Sequence, residues 1–392
     1  MNISKKGVTN LGLFHPRMLG IMEPSKLYWE SHLSNYTNMK IRSDTDVQIA
    51  IKQSIRREKS QKSQGKEGTM VKCDNILKRA IAEKGIPLTD ECQNYTQIVK
   101  VVAPESCEQI LGELKNETMD LLQAEVKTKY DNKAKGMKIQ GQFGALLEKE
   151  NNDLDWKSAM YQMPKGVLSF AIRASTNSLP SLDNLRRWRK VRSSDCKHCR
   201  SPCTLKHTLN ICRTFLEQRR FDYRHDSVLN NIVKILKGNK KNDNIDIYAD
   251  LDKHRIGGRT IPPAIMPTAL KPDLIIIDKE NKVVWIHELS VSFEDNFKTS
   301  HDYKLEKYEE LKCDIIENGW KCHLEPFSVG SRGMIPFFSK QILRSILKNI
   351  SSKFPLKKLT KIISKTAVLG SYIIWLARMD PNWHPPGLVS YQ

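Results

Sequence analysis

The stretch KPDLIIIDKENKVVWIHEL, residues 271–289, determines how the C-terminal half of the chain is expected to fold. It contains two short runs rich in β-branched residues, 274–278 and 283–289, which are separated by the turn-like sequence KENK. Two such runs joined by a short polar turn predict a β-hairpin. The hairpin would bring Asp273, at the start of its first strand, close to Glu288, near the end of its second strand.

Asp273 and Glu288 predict a binding site for a divalent cation. Mg²⁺ prefers carboxylate oxygens, and a water on such an ion can attack a phosphodiester. Glu288 has the apolar neighbours Trp285, Ile286 and Leu289, and an acid in such a setting usually has a functional reason to be there. The alternative is an acid on an edge strand that faces solvent.

The helical sequence SHDYKLEKYEEL, residues 300–311, follows the hairpin and supplies candidate partners for the acids. Lys304 and Tyr308 are four residues apart and share a helix face, with His301 one turn earlier. The lysine can orient a metal-bound water or stabilise the phosphate, and the tyrosine can add a hydrogen bond. Lys307 points in a different direction from Lys304 and is the weaker candidate.

Upstream of the hairpin, the polar triplet Arg224-His225-Asp226 precedes the helical stretch SVLNNIVKIL, residues 227–236. The triplet could reach DNA or the metal. By spacing alone Asp226 could equally cap a helix by accepting hydrogen bonds from backbone N–H groups. Apolar residues at helical spacing predict further helices over 296–318, 336–353 and 357–378.

The most specific motif is Cys196-x2-Cys199-x7-His207-x4-Cys212. Three thiolates and one imidazole are a ligand set that tetrahedral Zn²⁺ takes at structural sites. Because four protein ligands leave no open coordination position, we expect a structural zinc knuckle that binds nucleic acid and not a catalytic ion. Cys203 is a spare ligand and His198 could compete. Chance clustering of free cysteines is the alternative.

The charge of the chain points to a polyanionic partner. With 64 Lys and Arg against 44 Asp and Glu in 392 residues, the formal net charge is +20. This argues against an ordinary near-neutral metabolic enzyme and favours nucleic acid over a membrane surface. Basic residues suited to phosphate contacts surround an aromatic residue suited to base stacking directly before the cysteines. This basic run comprises Arg186, Arg187, Trp188, Arg189, Lys190 and Arg192. A solvated helix face is the alternative.

No segment predicts a membrane span or a secretory signal. The longest apolar run, 367–377, is interrupted by Gly370 and Ser371, and it is much shorter than the roughly 20 residues that a span needs. It therefore predicts a buried core helix. The N-terminal residues lack the continuous apolar segment of a signal peptide, so we expect a protein of the reducing cytosol or nucleus.

Together these patterns predict a mixed, α+β protein with a helical N-terminal half. The predicted segments are a helical segment (1–57), a linker (58–103), an exposed helical linker with the basic run (104–190), the zinc knuckle (191–216), an α/β domain (217–380) and a tail (381–392).

In this order the parts resemble the C-terminal half of the polyprotein of non-LTR (LINE-type) retrotransposons that carry a restriction-like endonuclease. The resemblance covers roughly residues 150–380. It rests on LSFAIRASTNSLPSLDNLRRW (168–188), the Cys/His motif, QRRFDYRHDSVL (218–229), the hairpin through HELSVSFE, and HDYKLEKY. Residues 11–58 are more loosely similar to the helices that follow the polymerase palm in such proteins.

The resemblance implies a PD-(D/E)xK fold that uses Mg²⁺ to nick the DNA strand that primes reverse transcription, with the zinc knuckle holding target DNA. The implied nuclease residues are Asp273, Glu288, Lys304 and Tyr308, accompanied by the motif Arg224, His225 and Asp226. The ExK pattern places a lysine two residues after the acid, where this chain has Ser290. Lys304, from the following helix, would substitute for it.

The resemblance also bears on partners. A reverse transcriptase needs adjacent aspartates in a Y-x-D-D turn, and in the similar string YADLD (248–252) Leu251 separates the two acids. We therefore expect the terminal part of an element without a polymerase. It would act in the nucleus on DNA, and we also consider element RNA and a separate reverse transcriptase as partners. The alternative is a non-catalytic nucleic-acid-binding protein that retains the nuclease fold as a scaffold.

Overall fold

A computed structural model describes Met18 and residues 24–42, 45–60, 68–85 and 107–389. The chain divides into two compact units, an N-terminal unit formed mainly by Gly20–Lys133 and a C-terminal unit formed mainly by Ala134–Gln392. Helices predominate, and the strands that the structure describes form small sheets in the C-terminal unit. The predicted mixed α and β fold class is confirmed at this level.

The N-terminal unit is helical. Its helices are α1 (Pro24–Arg42), α2 (Thr45–Ser60), α3 (Thr69–Glu83) and most of α4 (Cys107–Gly136). Apolar residues at helical spacing on α3, among them Ile76, Leu77 and Ala80, are buried in a core shared with the other helices. The predicted linker over 58–103 is therefore wrong where α3 lies. Residues 61–67 and 86–103 lie outside the described residues.

The segment predicted as an exposed helical linker is largely integrated into the two units. The long helix α4 is present, but Leu114, Leu122 and Tyr130 on it are buried. Beyond it come α5 (Gln142–Lys149), a 3₁₀ helix (Asp155–Gln162), α6 (Lys165–Ser175), α7 (Leu182–Arg187) and, after the cysteines, α8 (Arg213–Glu217). Trp156 is fully buried and donates to the Arg332 carbonyl at 3.0 Å. The segment is not a linker because its aromatic residues complete the C-terminal core.

The main sheet of the C-terminal unit contains four strands. The strands β1 (Ile245–Ala249), β2 (Leu274–Asp278) and β3 (Val283–His287) are successively antiparallel, and β5 (Lys321–Leu324) pairs parallel to β3. A second, parallel pair consists of β4 (Leu289–Ser292) and β6 (Phe327–Gly330). The predicted hairpin is confirmed over β2 and β3. Its second strand ends at His287, because the chain passes into the second pair after Glu288.

Helices cover both faces of the main sheet. On one face, α9 (Arg220–Asn239), α11 (Phe337–Asn349) and α12 (Leu356–Leu376) share a core with Leu274 and Ile276. On the other face, α10 (Phe297–Glu317) packs Leu311 and Ile315 against Ile275 and Ile277. Consecutive residues of β2 thus point to opposite faces, as in any strand, and both faces are apolar because both are covered.

The run 367–377 lies mainly in α12, where a buried core helix was predicted. By length and composition alone Leu356–Met379 could cross a membrane, but 61% of its most apolar window is buried inside the protein. The predicted tail after residue 380 also packs on the fold. Asn231 of α9 donates to the Val389 carbonyl at 2.6 Å, and the Ser227 hydroxyl accepts from the Val389 amide at 3.2 Å. Residues 381–389 are thus not a free tail.

Candidate functional site

Asp273 and Glu288 face each other across the open end of the β2–β3 hairpin. Leu274 is the first residue of β2 and pairs with His287, the last residue of β3, so the two acids occupy the next position on either side. Each carboxylate accepts a backbone N–H from the opposite side of this open end. Glu288 Oε1 accepts from the Asp273 amide at 2.9 Å, and Asp273 Oδ2 accepts from the Leu289 amide at 2.8 Å. We call these two residues the acid pair.

Lys304 bridges the acid pair. Its Nζ lies 2.5 Å from Glu288 Oε2 and 3.2 Å from Asp273 Oδ2. One turn along α10, Tyr308 is buried, and its hydroxyl accepts from Lys307 Nζ at 3.1 Å. Burial raises the pKa of Tyr308 above its usual range, and the charge of Glu288 adds to this effect. The structure thus brings together all four residues to which the sequence assigned nuclease roles.

The polar triplet on α9 divides between two environments. His225 Nε2 lies 3.3 Å from Asp273 Oδ2, and its Nδ1 lies 3.0 Å from Asp226 Oδ1. Arg224 instead is fully buried and donates to the Leu209 and Val291 carbonyls. Helix α9 begins at Arg220, so Asp226 lies inside the helix and does not cap it. Of the triplet, His225 contacts the acid pair and Asp226 contacts His225, while the Arg224 side chain lies in the core.

The surroundings give the two acids opposite pKa shifts. Burial and, after it, the charge of Asp273 raise the pKa of Glu288 to about 7, because Lys304 only partly opposes them. Burial also acts on Asp273, but the positive charges of His225 and Lys304 outweigh it and hold the pKa of this carboxyl below its usual range. For His225, burial is outweighed by the charge of Asp273, so the pKa of the imidazole is raised to about 10. Two carboxyls with separated pKa values are typical of sites that bind cations or transfer protons.

Sequence reasoning missed Asp250, which lies beside the acid pair. It follows β1 directly, and its backbone N–H donates to the Asp273 carbonyl at 3.0 Å. Its carboxylate accepts from Arg255 Nε at 2.7 Å. In the sequence, Asp250 belongs to YADLD, which was compared only with the polymerase motif. A signal was present in the sequence. Asp250 directly follows β1, and in an antiparallel pair the end of one strand lies beside the start of its partner, here the start of β2 next to Asp273.

The second site is the group formed by Cys196, Cys199, His207 and Cys212, whose ligand atoms all lie within 4.8 Å of one another. Sγ of Cys212 lies 4.0 Å from that of Cys196 and 3.9 Å from that of Cys199. Tetrahedral zinc with Zn–S bonds of about 2.3 Å sets its sulfurs about 3.8 Å apart. The group could therefore bind a metal ion such as zinc.

The two competing ligands have other contacts. Cys203 Sγ lies 3.6 Å from the Thr208 hydroxyl, and His198 Nε2 lies 3.0 Å from the Arg378 carbonyl. Burial lowers the pKa of His207, which keeps its imidazole neutral and able to ligate. Burial also raises the pKa of Cys212 to about 12. A metal ion would supply the positive charge that a buried thiolate requires.

The metal group is packed on the rest of the C-terminal unit. Cys196 and Cys212 share a small core with Phe215 and with Ile374 of α12. A single helical turn, His207–Ile211, carries the imidazole, and its Asn210 side chain donates to the Val291 carbonyl on β4 at 3.1 Å. The predicted segment 191–216 is therefore a part of the unit and not a separate module.

The basic run is exposed where α7 ends. Arg186, Arg187, Trp188, Arg189, Lys190 and Arg192 all face solvent. Arg187 forms an ion pair with Asp183 at 2.6 Å, and Arg186 donates to the Ser194 hydroxyl at 3.2 Å. Because α7 ends at Arg187, the run is not one continuous helix face. The indole of Trp188 is 42% exposed, which leaves it accessible for stacking.

No protein-family model matches the chain, and no curated protein matches it.

Proposed function

We propose that this protein is a metal-dependent DNA endonuclease that nicks target DNA, with a zinc-binding group that assists nucleic-acid binding. The observation that carries the proposal is the bridge from Lys304 Nζ to both acids, at 2.5 Å from Glu288 and 3.2 Å from Asp273. A lysine beside two carboxylates is a combination that can hold a hard cation and a phosphate together. The ordered resemblance to retrotransposon endonucleases supports the same function and a PD-(D/E)xK core.

The donor set of the acid pair suits Mg²⁺. Among the described residues, His, Cys, Asp and Glu side chains close enough to share an ion form a group of three or more only at the cysteines. Mg²⁺ commonly binds through one or two carboxylates and completes its shell with water and phosphate oxygens. Such an ion would supply Lewis acidity and an activated water.

The chain's own groups have separate roles in this proposal. Lys304 neutralises the acid pair without substrate and is close enough to donate to a phosphate oxygen when substrate is present. His225 orients the Asp273 carboxylate through Nε2, and Asp226 fixes the imidazole through Nδ1. The hydroxyl of Tyr308 is oriented by Lys307. The exposed basic run would contact phosphates, with Trp188 stacking on a base.

The proposal also covers the origin, location and partners that the resemblance implies. The protein would derive from a non-LTR retrotransposon and act in the nucleus. DNA would be its substrate, with element RNA and a separate reverse transcriptase as possible partners.

A second candidate function is nucleic-acid binding without catalysis, with the nuclease fold retained as a scaffold. The observation that favours it is the same bridge, because an ammonium group that neutralises both acids can also be a purely structural ion pair. The two candidates differ in what happens when an acid is removed: catalysis would be lost in the first, and little would change in the second.

The test incubates zinc-loaded protein with supercoiled plasmid, with and without Mg²⁺. Asp273→Ala is the test variant, and Asp252→Asn is the matched control because the Asp252 side chain is 93% exposed. If the proposal is right, wild type and Asp252→Asn produce open circles only with Mg²⁺, and Asp273→Ala loses about 10²-fold or more of the rate. If all three proteins leave the plasmid supercoiled and shift it equally on a gel, the function is nucleic-acid binding without catalysis.

A further inference from the structure

One long segment of the C-terminal unit contains no acidic residue. Residues 326–379 carry ten Lys and Arg and neither Asp nor Glu, although the average composition of the chain would place about six acids in this length. The segment forms β6, α11, the connection after α11, and α12. The segment therefore has a net charge of +10, because no acid within it offsets its ten Lys and Arg.

Five of these cations are exposed around the connection between α11 and α12. We call them the basic edge: Arg344, Lys348, Lys353, Lys357 and Lys358. Arg344 and Lys348 are one turn apart on α11, Lys353 lies in the connection, and the last two lie in the first turn of α12. None of the five lies within 4.0 Å of a carboxylate in the part of the chain that the structure describes. Lys358 does contact the Phe354 ring, with 5.3 Å between Nζ and the ring centre.

Neighbouring lysines strengthen the positive field. Further along α12, burial lowers the pKa of Lys365, and the charge of Lys361 lowers it further. At the end of α9, burial lowers the pKa of Lys237, the charge of Lys240 adds to this, and Asp246 partly opposes it. A bound polyanion would relieve repulsion of this kind.

The basic edge lies toward the end of the main sheet opposite the acid pair. The Ile350 carbonyl, in the connection, accepts from the Lys241 amide at 3.4 Å, a few residues before β1 begins. The start of β1 pairs with the end of β2, where Ile245 is opposite Asp278. Asp273 precedes the other end of β2, and a strand of five residues spans about 16 Å. The basic edge is thus separate from the site proposed for cleavage.

The chemistry of the basic edge fits a nucleic-acid backbone better than a membrane. Basic segments that bind membranes commonly insert apolar side chains, but no large hydrophobic side chain among the described residues 338–375 is exposed. Clustered Lys and Arg without opposite charges are the usual contact to phosphates. A phosphate backbone also matches the positive charge of the whole chain.

We propose that the basic edge binds the phosphate backbone of a duplex DNA segment other than the one at the acid pair. This inference goes beyond the proposed nuclease and does not depend on it, since the basic edge binds DNA whether or not the acid pair cuts. Binding through phosphates is independent of base sequence and strongly dependent on salt.

The test measures anisotropy of a fluorescein-labelled mixed-sequence 30-bp duplex with the full chain carrying Asp273→Ala, so that cleavage cannot affect the result. In this background we compare Lys348→Gln/Lys353→Gln/Lys357→Gln/Lys358→Gln with a variant that loses equal charge on and directly after α4, which we call the α4 control. The control is Lys115→Gln/Lys133→Gln/Lys135→Gln/Lys138→Gln, in which all four lysines are exposed. We expect the first variant to lose about tenfold or more in affinity and three to four units of salt slope, and the control to change much less.

Two further measurements make the result decisive. The corresponding Lys→Arg variant keeps the charges, so it should keep the affinity and slope of the parent protein. Vesicles with 30% anionic lipid serve as an alternative polyanion. The proposal is overturned if the basic-edge variant and the α4 control lose equal affinity for DNA, or if the basic-edge variant loses affinity for vesicles only.

Discussion

Gly370 of α12 lies directly against the side chain of Arg224 in α9. A Cβ atom at position 370 would lie 2.8 Å from Arg224 Cγ and 3.0 Å from Arg224 Cβ. Both atoms lie at the base of the Arg224 side chain. Its guanidinium is held by hydrogen bonds to the Leu209 and Val291 carbonyls and to the Ser371 hydroxyl, so the side chain cannot easily move. The two helices can approach this closely because residue 370 has no side chain.

Gly370→Ala should therefore destabilise the protein, although alanine favours helix. We expect a loss of about 1–3 kcal/mol in the free energy of unfolding, because Arg224 cannot move aside. Gly238→Ala on α9 is the matched control, since an added Cβ there meets no atom within 4 Å. It should gain up to about 1 kcal/mol from helix propensity. Urea unfolding measures both, and equal stability of the two variants would show that the contact can relax.

Arg224→Met should affect stability and metal binding but not DNA contacts. The substitution removes the hydrogen bonds from Arg224 to the Leu209 and Val291 carbonyls, and the Val291 carbonyl keeps only its donor Asn210, at an expected cost of about 2–4 kcal/mol. Because Leu209 belongs to the turn that carries His207, the variant should also release zinc faster. Thermal unfolding and zinc transfer to a chromogenic chelator measure these effects. Arg213→Gln, whose side chain is 85% exposed, is the control. A reduced salt slope for DNA binding by folded Arg224→Met would instead support a direct contact.

Substitutions in the four-ligand group and at the spare cysteine, Cys203, should have different effects on zinc content. Wild-type protein dialysed against trace zinc should retain one ion per chain, and Cys212→Ser should lose it and unfold at lower temperature. Cys203→Ser should retain the ion, because Cys203 lies outside the four-ligand group and its thiol contacts the Thr208 hydroxyl. Elemental analysis measures the zinc content. Loss of the ion in Cys203→Ser together with its retention in Cys212→Ser would mean that the ligand set has been assigned incorrectly.

The sequence predicted the features that depend on local spacing. The hairpin follows from the apolar runs at 274–278 and 283–289, and its register alone brings Asp273 to Glu288. The Cys/His group follows from spacing in the same way. The placement of Arg224 did not follow, because its acceptors come from residues 15, 67 and 147 positions away. The same long-range packing buries α3 and Trp156, where the surrounding polar residues suggested linkers.

Lys304 and Lys307 lie on one helix but should contribute very differently to nicking. Lys304→Met removes the group that contacts both acids, so the nicking rate should fall by about 10²-fold or more. Lys307→Met removes a hydrogen bond to the Tyr308 hydroxyl and a cation–π contact with its ring, and its rate should stay within about fivefold of wild type. Plasmid nicking measures both rates, and circular dichroism checks that both variants are folded. Equal rates for the two variants would remove Lys304 from the proposed mechanism.

Asp155 should make stability fall as pH rises, even though Lys340 Nζ lies 3.0 Å from its carboxylate. Burial outweighs the attraction of Lys340 and raises the pKa of Asp155 above its ordinary value of 3.8. Just above that value the folded state keeps a proton that the unfolded chain has lost, so the free energy of unfolding decreases with pH.

Asparagine has no carboxyl group to ionise. The stability of Asp155→Asn relative to wild type should therefore increase between about pH 4 and about pH 6. Urea unfolding at the two pH values measures the difference, with Asp153→Asn as the control for a nearby exposed acid. A gain by wild type over Asp155→Asn as pH rises would mean that Lys340 outweighs burial. The pair would then be a stabilising ion pair and not a buried acid that is kept partly neutral.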